Sequence, residues 1–557
     1  MFSTFKAVIA IFGSSKFNTS RLNRGYEFML NSNALFTVRK LIRSICEYEY
    51  NQASAESQKQ IFKNLKVADL AFFNAQCDTS YLLTSFAFNR AIANYYASGT
   101  NFIFPLNKEL QSIFAEHGII TNRNACSFLW KSYKGITIIK SSVTYFKIFL
   151  TTILEKLRQS KKVNVKNTDS ASVYFYDISE RNLPSLTNNL YEKNIVTWYK
   201  KIVLKDNKIN VHHNVINIGN KDSIALGYEF TYNRSLFFQP KIFTELKNLF
   251  WWLHFFLKNI FNPSIRIYLL VNFNEILKAK RVGELIDNLE LHSVVFNNSI
   301  GSIKPLWAVL LERNKIQIDY IFYACYAEPA DIEGNGPIDG FWALSIWERY
   351  YVVDEYQKHQ LQDQLNFKNY NIFIETIPWW VDINLPIPSL NKKSICLFDT
   401  ILNNNLYTLG TLNQFGWHKP EIATLYLQIV LEVAHELGLT VLYKFKRSKG
   451  KNIRNKKHWD AISKLLIEYK DIVIQVDDRI SPERLIQNSS ITISKPLSTT
   501  AIIAKFLNRP TIYLDPTNGI NKSDPALRGI IILSTKKDLL YYITNLLNSF
   551  PSEETKL

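Results

Sequence analysis

Apolar and polar positions change rhythm twice along this chain of 557 residues. From Ala68 to Tyr96 apolar residues recur at helical spacing with few breakers, and Ser142 to Leu157 repeats that pattern before the basic patch Arg158 to Lys162. Residues 1–160 are therefore expected to form a mixed, mostly helical region. The short apolar run from Val8 to Phe12 reads as a buried strand opening into a Gly-Ser turn, not as a leader peptide. After a polar joint, Val173–Tyr176, Arg266–Phe273, Ser293–Phe296, Ile316–Ala324 and Tyr350–Val353 read as strands, with helices at Pro305–Arg313 and Glu355–Leu365.

A second polar joint, Leu385 to Lys393, restarts the alternation. Strands are expected at Ser394–Phe398, Leu439–Tyr443, Ile472–Val476, Ile491–Ile493 and Thr511–Leu514, with a turn from Ser494 to Thr500. Helices are expected at Glu421–Leu437, Trp459–Tyr469, Pro482–Asn488, Ala501–Leu507 and Leu539–Asn548. Strands alternating with helices predict parallel sheets with crossovers. The expected class is α/β: two Rossmann-like domains, 170–384 and 392–557, facing across a cleft, with the helical region 1–160 as an extension.

The expected chemistry gathers at strand ends, where open α/β sheets bind ligands. Ser498, Thr499 and Thr500 form a hydroxyl-rich turn between a strand and a helix. Free N–H groups and the positive helix end suit an anion there, with Lys495 adding charge. Asp515, after the next strand, either contacts a ribose hydroxyl or shapes its own turn. Lys444, Lys446 and Arg447 close the strand Leu439–Tyr443 and could meet a diphosphate; the alternative is a solvated basic run continuing to Lys457.

A general base is sought in the other unit. Glu328, then Asp331 and Glu333, lie in an acidic Gly-rich loop after the strand Ile316–Ala324, which could equally be a solvated surface loop. His213, beside His212, is a further catalytic candidate, and Asp177 another. No Walker A loop, GxSxG or HExxH is present, and no two aspartates stand two apart. Phosphate charge is therefore expected to meet Lys, Arg and helix dipoles, with no metal and no cofactor.

Charge narrows the partners. A net charge of +18 implies a polyanionic partner. Lys and Arg are spread along the chain without a nucleic-acid-binding signature, so a nucleotide-linked substrate or an anionic membrane surface is expected and nucleic acid is not. Five cysteines, far apart and without a CxxC pair, suggest reduced thiols of a cytoplasmic protein. No apolar stretch reaches the length of a membrane span. The aromatic run Phe250 to Phe261 reads either as an interfacial anchor, which would hold the protein at the inner face of the membrane, or as a helix buried between domains.

SKPLSTTAIIAKFLNRPTIYLDP, with Pro496-Leu497-Ser498-Thr499 at its head, resembles the C-terminal signature of bacterial surface-polysaccharide biosynthesis proteins named for a Pro-Phe-Thr-Ser motif. Here leucine replaces the aromatic residue and the two hydroxyls are exchanged. Tyr443 to Arg447 (YKFKR) and Gly340 to Leu361 (GFWALSIWERYYVVDEYQKHQL) resemble further family segments, and the likeness spans Arg266 to Tyr542. It implies a glycosyltransferase-B-like fold and a role in capsule or lipopolysaccharide assembly. Sugar would pass from a nucleotide-sugar donor to a glycan or lipid-linked glycan acceptor. The alternatives are a CDP-polyol phosphotransferase of the teichoic-acid type and a non-catalytic scaffold that binds polysaccharide or membrane.

Overall fold

The computed structural model describes residues 34–62, 64–84, 86–136, 172–175, 291–297, 303–322, 340–374, 385–388, 393–398, 420–445, 456–477 and 480–549, and isolated positions, several of them helical, between 143 and 417. The strand expected at Arg266–Phe273, the helix expected at Ser142–Leu157 apart from Val143, and the loop from Glu328 to Pro337 lie outside them.

The N-terminal region is helical, as its spacing implies. Helix α1 (Ala34–Ser54) precedes a two-stranded antiparallel ribbon, β1 (Gln60–Phe62) and β2 (Leu65–Lys66). The long apolar stretch expected from Ala68 to Tyr96 is two helices, α2 (Val67–Thr84) and α3 (Phe86–Ser98), followed by α4 (Lys108–Glu116). Asn107 caps α4 by accepting from the Leu110 N–H at 2.7 Å.

A five-stranded parallel sheet follows, in the order β3 (Ser172–Phe175), β4 (Leu291–Asn297), β5 (Gln317–Ile321), β6 (Arg349–Val352) and β7 (Asn371–Ile374). Helix α5 (Leu306–Arg313) crosses from β4 to β5, and α6 (Glu355–Gln364) from β6 to β7. Lys315 takes up a left-handed φ of 66° just after α5, where the chain turns into β5.

The helical region packs directly on this sheet. Leu65, Val67, Leu70 and Phe73 share one core with Val294, Phe296, Trp307 and Tyr320. The Gln76 side chain donates to the Leu344 carbonyl at 2.8 Å and accepts from the Lys304 N–H at 3.0 Å. Arg313 closes the seam by donating to Asp69 and to the Asn64 carbonyl.

The second sheet has six parallel strands: β8 (Ser394–Phe398), β9 (Thr440–Lys444), β10 (Val473–Val476), β11 (Ile491–Ser494), β12 (Thr511–Leu514) and β13 (Ile531–Leu533). Its spatial order is β10-β9-β8-β11-β12-β13. Counting β8 as one, that order is 3-2-1-4-5-6, the dinucleotide-binding arrangement. Helices α7 (Pro420–Glu436), α8 (Lys456–Glu468), α9 (Pro482–Gln487), α10 (Thr499–Phe506) and α11 (Lys536–Ser549) complete the unit.

Strand alternation sorts its two faces. Ile395, Leu397, Val441, Tyr443, Ile491, Ile493, Ile512 and Leu514 pack with α7, α8 and α11. Leu442, Cys396 and Tyr513 face the opposite layer, which α9 and α10 supply. Both faces are covered, which explains why these strands read as near-continuous apolar runs.

Among the described residues the two sheets meet at a buried contact after β6. Val353, just after β6, packs in the core formed by Leu497, Ile502, Tyr513 and Leu527 of the second unit. Beside it Asp354, which also caps α6 by accepting from the Gln357 N–H at 2.8 Å, receives both forks of the Arg528 guanidinium. That guanidinium also lies 4.8 Å from the Tyr356 ring centroid. Arg528 holds a left-handed φ of 54°, an uncommon conformation for a side-chain-bearing residue. Lys505 donates to its carbonyl, and Gly529 continues the left-handed turn at φ 73°.

Breaking a buried pair strands its remaining charge, at a cost of about 3–5 kcal/mol. Arg528→Ala should therefore destabilise the protein by about 3 kcal/mol in denaturant unfolding, and Arg528→Lys should not restore the two-pronged contact. A loss below about 0.5 kcal/mol would show that the joint does not depend on the pair.

A second electrostatic cluster sits in the helical region. Asp78 accepts from Lys134 at 2.5 Å and from the Asn74 amide at 3.0 Å. Burial, then the Asp78 carboxylate, pushes Glu49 up to about 7, while Lys134 pulls it down. The unfolded value is about 4.3, so between the two the folded state binds the extra proton. This contribution to stability is complete below about pH 4 and is lost as pH rises through about 7. Glu49→Gln should flatten that decline in thermal unfolding measured from pH 5 to 8; an unchanged slope would exclude Glu49 as its source.

Candidate functional site

The strand order of the second sheet changes direction between β8 and β11. Connections on either side of such a point run away from each other, leaving a crevice at the carboxyl ends of the two strands. The turn that follows β11 opens there.

Lys495, Pro496, Leu497 and Ser498 make that turn. Leu497 has a φ of 61°, directly after a proline, which is the signature of a type II turn. Such a φ strains a leucine, and the strain is held by burial: Leu497 is 7% exposed and packs with Ile502, Ile503 and Tyr513. The apolar side chain thus fastens the turn from below while its polar neighbours line the crevice. Ser498 is the N-cap of α10 but makes no side-chain capping bond. Its hydroxyl instead meets the Thr500 hydroxyl at 3.2 Å, which meets that of Ser494 at 2.8 Å. Three hydroxyls in a chain beside uncapped helix N–H groups form a cradle for an anion.

Register shows what surrounds the cradle. Val476 pairs with Lys444, Lys444 with Phe398, and Ser494 with Tyr513. Leu397 pairs with Ile493, so Phe398 and Ser494 are neighbours one residue further on. This row at the carboxyl edge therefore brings Lys444, Ser494 and Tyr513 to one sheet face, with the Lys444 and Ser494 backbones about 10 Å apart at two strand spacings. Lys444 is 7% exposed. It stands near enough to Cys396 for its charge to oppose the upward push that burial gives the thiol.

Asp515 ends β12 and is fully buried. Its Oδ1 accepts from the Trp417 indole at 3.2 Å, the Thr517 N–H at 3.1 Å and the Thr517 hydroxyl at 2.5 Å. Its Oδ2 accepts from the N–H groups of Gly519 at 3.0 Å and Ile520 at 3.3 Å. Of the two roles open to Asp515, the geometry gives it the turn-shaping one: five donors of its own surroundings occupy the carboxylate, so the ribose contact is set aside.

The structure thus brings Lys444, Lys495, Ser498, Thr499 and Thr500 to one edge of one sheet. Lys446 and Arg447 lie outside the described residues, as do Glu328, Asp331, Glu333, His213, His212 and Asp177. Ser494, expected as the first residue of the turn, is instead the last residue of β11, and Tyr513 was not singled out in the sequence.

A parallel α/β protein with an anion cradle at the strand-order reversal of its second sheet is the class that fold and site define. The chain belongs to the family of polysaccharide biosynthesis PFTS motif proteins, whose model matches residues 251–543. The matched span holds the cradle, Lys444 and both partners of the Asp354–Arg528 pair, and the chain shows the two parallel-sheet α/β units that the sequence led one to expect.

No curated protein matches the chain. Similar solved structures include Staphylococcus aureus MnaA with UDP, at 10% identity and a TM-score of 0.35, covering 68% of this chain and 88% of that one. The trehalose-6-phosphate synthase OtsA is similar at 10% identity and a TM-score of 0.37, covering 68% and 92%. A glycosyltransferase from Rickettsia africae follows at 15% identity and a TM-score of 0.31, covering 52% and 72%.

Removing the Asp515 carboxylate would leave buried N–H donors without acceptors, each costing about 1–3 kcal/mol. Asp515→Ala should cost about 3 kcal/mol or more in denaturant unfolding. Asp515→Asn, which keeps one acceptor oxygen, should cost distinctly less. Equal losses would show that the hydrogen bonds are not what holds the loop.

Proposed function

We propose that this protein is a glycosyltransferase that moves a sugar from a nucleotide-activated donor to a growing surface polysaccharide, of the capsule or lipopolysaccharide kind. Membership of the polysaccharide biosynthesis family supports the setting. The observation that carries the donor site is the uncapped, hydroxyl-lined start of α10 at the strand-order reversal.

In this reading the donor diphosphate lies across the carboxyl edge of the second sheet. The N–H groups opening α10 and the hydroxyls of Ser498 and Thr500 hold the outer phosphate. Lys444 and Lys495, with Lys446 and Arg447 beyond β9, neutralise charge as the sugar–phosphate bond breaks and the nucleotide leaves. Donors fixed in place before reaction stabilise that charge without reorganising, which is how such a site accelerates transfer. A carboxylate of the first unit would take the proton from the acceptor hydroxyl as it attacks, and Glu328 is the assigned candidate, before Asp331 and His213. Lysines, arginine and the helix dipole meet the phosphate charge without a metal or a cofactor.

Nucleoside diphosphate binding followed by titration calorimetry tests the site. A charge-assisted hydrogen bond contributes about 1.5–3 kcal/mol, so Lys444→Ala should weaken binding by about tenfold or more. A Ser498→Ala, Thr500→Ala double variant should weaken it further, while the far-UV spectrum stays unchanged. Absence of nucleotide binding by the wild type, or equal binding by all three proteins, would refute the donor site. A panel of nucleotide-sugar and CDP-polyol donors then identifies the transferred group; turnover of the polyol donors alone would replace sugar transfer by polyol-phosphate transfer.

A further inference from the structure

The aromatic run in the first unit has one face that the sugar-transfer reading does not use. Positions 243, 247, 250, 251, 254 and 257 are helical. Phe243, Phe250 and Leu257 are 79%, 68% and 58% exposed, and Lys247 and His254 between them are exposed too. At about 100° per residue these five positions, spaced four, three, four and three apart, fall within an arc of about 80°. They form one line about 21 Å long.

Trp251 fixes which way that line points. It sits at the edge of the arc, is half-buried against the first unit's core, and meets the Phe62 ring edge-on at 5.6 Å. Lys280 lies 5.0 Å from its ring centroid. The helix is therefore docked through Trp251, and the line of Phe243, Phe250 and Leu257 is turned outward. Single exposed apolar side chains are ordinary, but an aligned row of three on a docked helix is not.

We propose that this row is a membrane-contact edge that seats on a lipid surface rich in anionic headgroups. Three observations choose that occupant. Two heptads are too short for a stable coiled-coil seam, which needs three or four. Lys247 and His254 interrupt the row with polar groups, and the Lys247 charge is one that an anionic surface attracts. The chain as a whole carries a charge of +18, so the long-range field favours such a surface. No described helix is long and apolar enough to cross a membrane. The contact is one of a helix lying in the headgroup plane, with the Phe and Leu side chains among the acyl ends and Lys247 at the phosphates.

The proposal is independent of the transfer chemistry, since vesicle binding is measured on the folded chain and would stand if nucleotide binding failed. Wild-type protein should co-sediment with vesicles of phosphatidylglycerol and phosphatidylcholine, weakly or not at all with phosphatidylcholine alone, and less as salt rises. The triple variant Phe243→Ser, Phe250→Ser, Leu257→Ser should lose binding by roughly tenfold or more with its thermal midpoint unchanged. Should it fail to fold, Lys247→Glu, at an exposed position, should still weaken binding severalfold. Absence of binding by the wild type, equal binding to neutral vesicles, or unchanged binding by the variants would overturn the proposal. So would a dimer in light scattering that the triple variant dissolves, because the row would then be a seam between copies.

Discussion

The reversal of strand order between β8 and β11 is the constraint on which the second unit is built. A parallel sheet that grows first to one side and then to the other must send its crossovers to opposite faces. The helices on those two faces diverge at the reversal, and no side chain of the sheet itself can fill the gap they leave. A helix that begins there presents N–H groups that the fold cannot satisfy from within. Polar residues stand along the adjoining edge, Ser494 and Lys444 among them, both buried.

Two further features hold that edge still. Leu497 accepts a left-handed backbone because its side chain is buried, and the turn's polar residues are thereby aimed outward. Asp515 ties the adjoining loop to Trp417, so the two loops flanking the crevice are fixed by different means, one apolar and one by hydrogen bonds. Arg528 extends the same logic across the units. Its strained backbone is held by Lys505, and its guanidinium grips an Asp that also caps α6. A shift of the first unit's α6 would therefore pull on the turn that packs beneath α10.

Most of the fold was legible as rhythm. Five of the six strands of the second sheet were read to within a residue or so because both faces are buried and each is a short apolar run between polar joints. In the two parallel sheets two strands were missed for one physical reason: β7 (NIFI) and β13 (IIL) are sheet edges of four and three residues, too short to set a period. The stretch from Ala68 to Tyr96 was read as helical, and its division into two helices was not legible because no Gly or Pro marks it. In the site, the turn was legible through its hydroxyls and proline. Tyr513 was not, because a lone polar residue in a strand acquires meaning only from the register that sets it in the row of Ser494 and Lys444. For Asp515 both a ligand contact and a turn-shaping role were open, and the five donors around its carboxylate select the second.

The outward row on the aromatic helix and the crevice of the second sheet place two demands on one molecule. In the proposed function, a soluble nucleotide-linked donor would reach the carboxyl edge of β8 and β11 from water, whereas a lipid-linked glycan could leave its bilayer only by the length of its own chain. An enzyme joining the two gains most by holding its acceptor-side unit at the lipid surface, because confinement raises the acceptor's effective concentration without any new contact to the sugar. That arrangement gives a reason for the division of labour between the units. In that proposal the phosphate site lies at the edge of the second sheet, and the apolar row is carried by the first unit. It also gives the Asp354–Arg528 joint a mechanical role: it is the buried ionic contact through which a seated first unit would hold the donor-bound second unit in register.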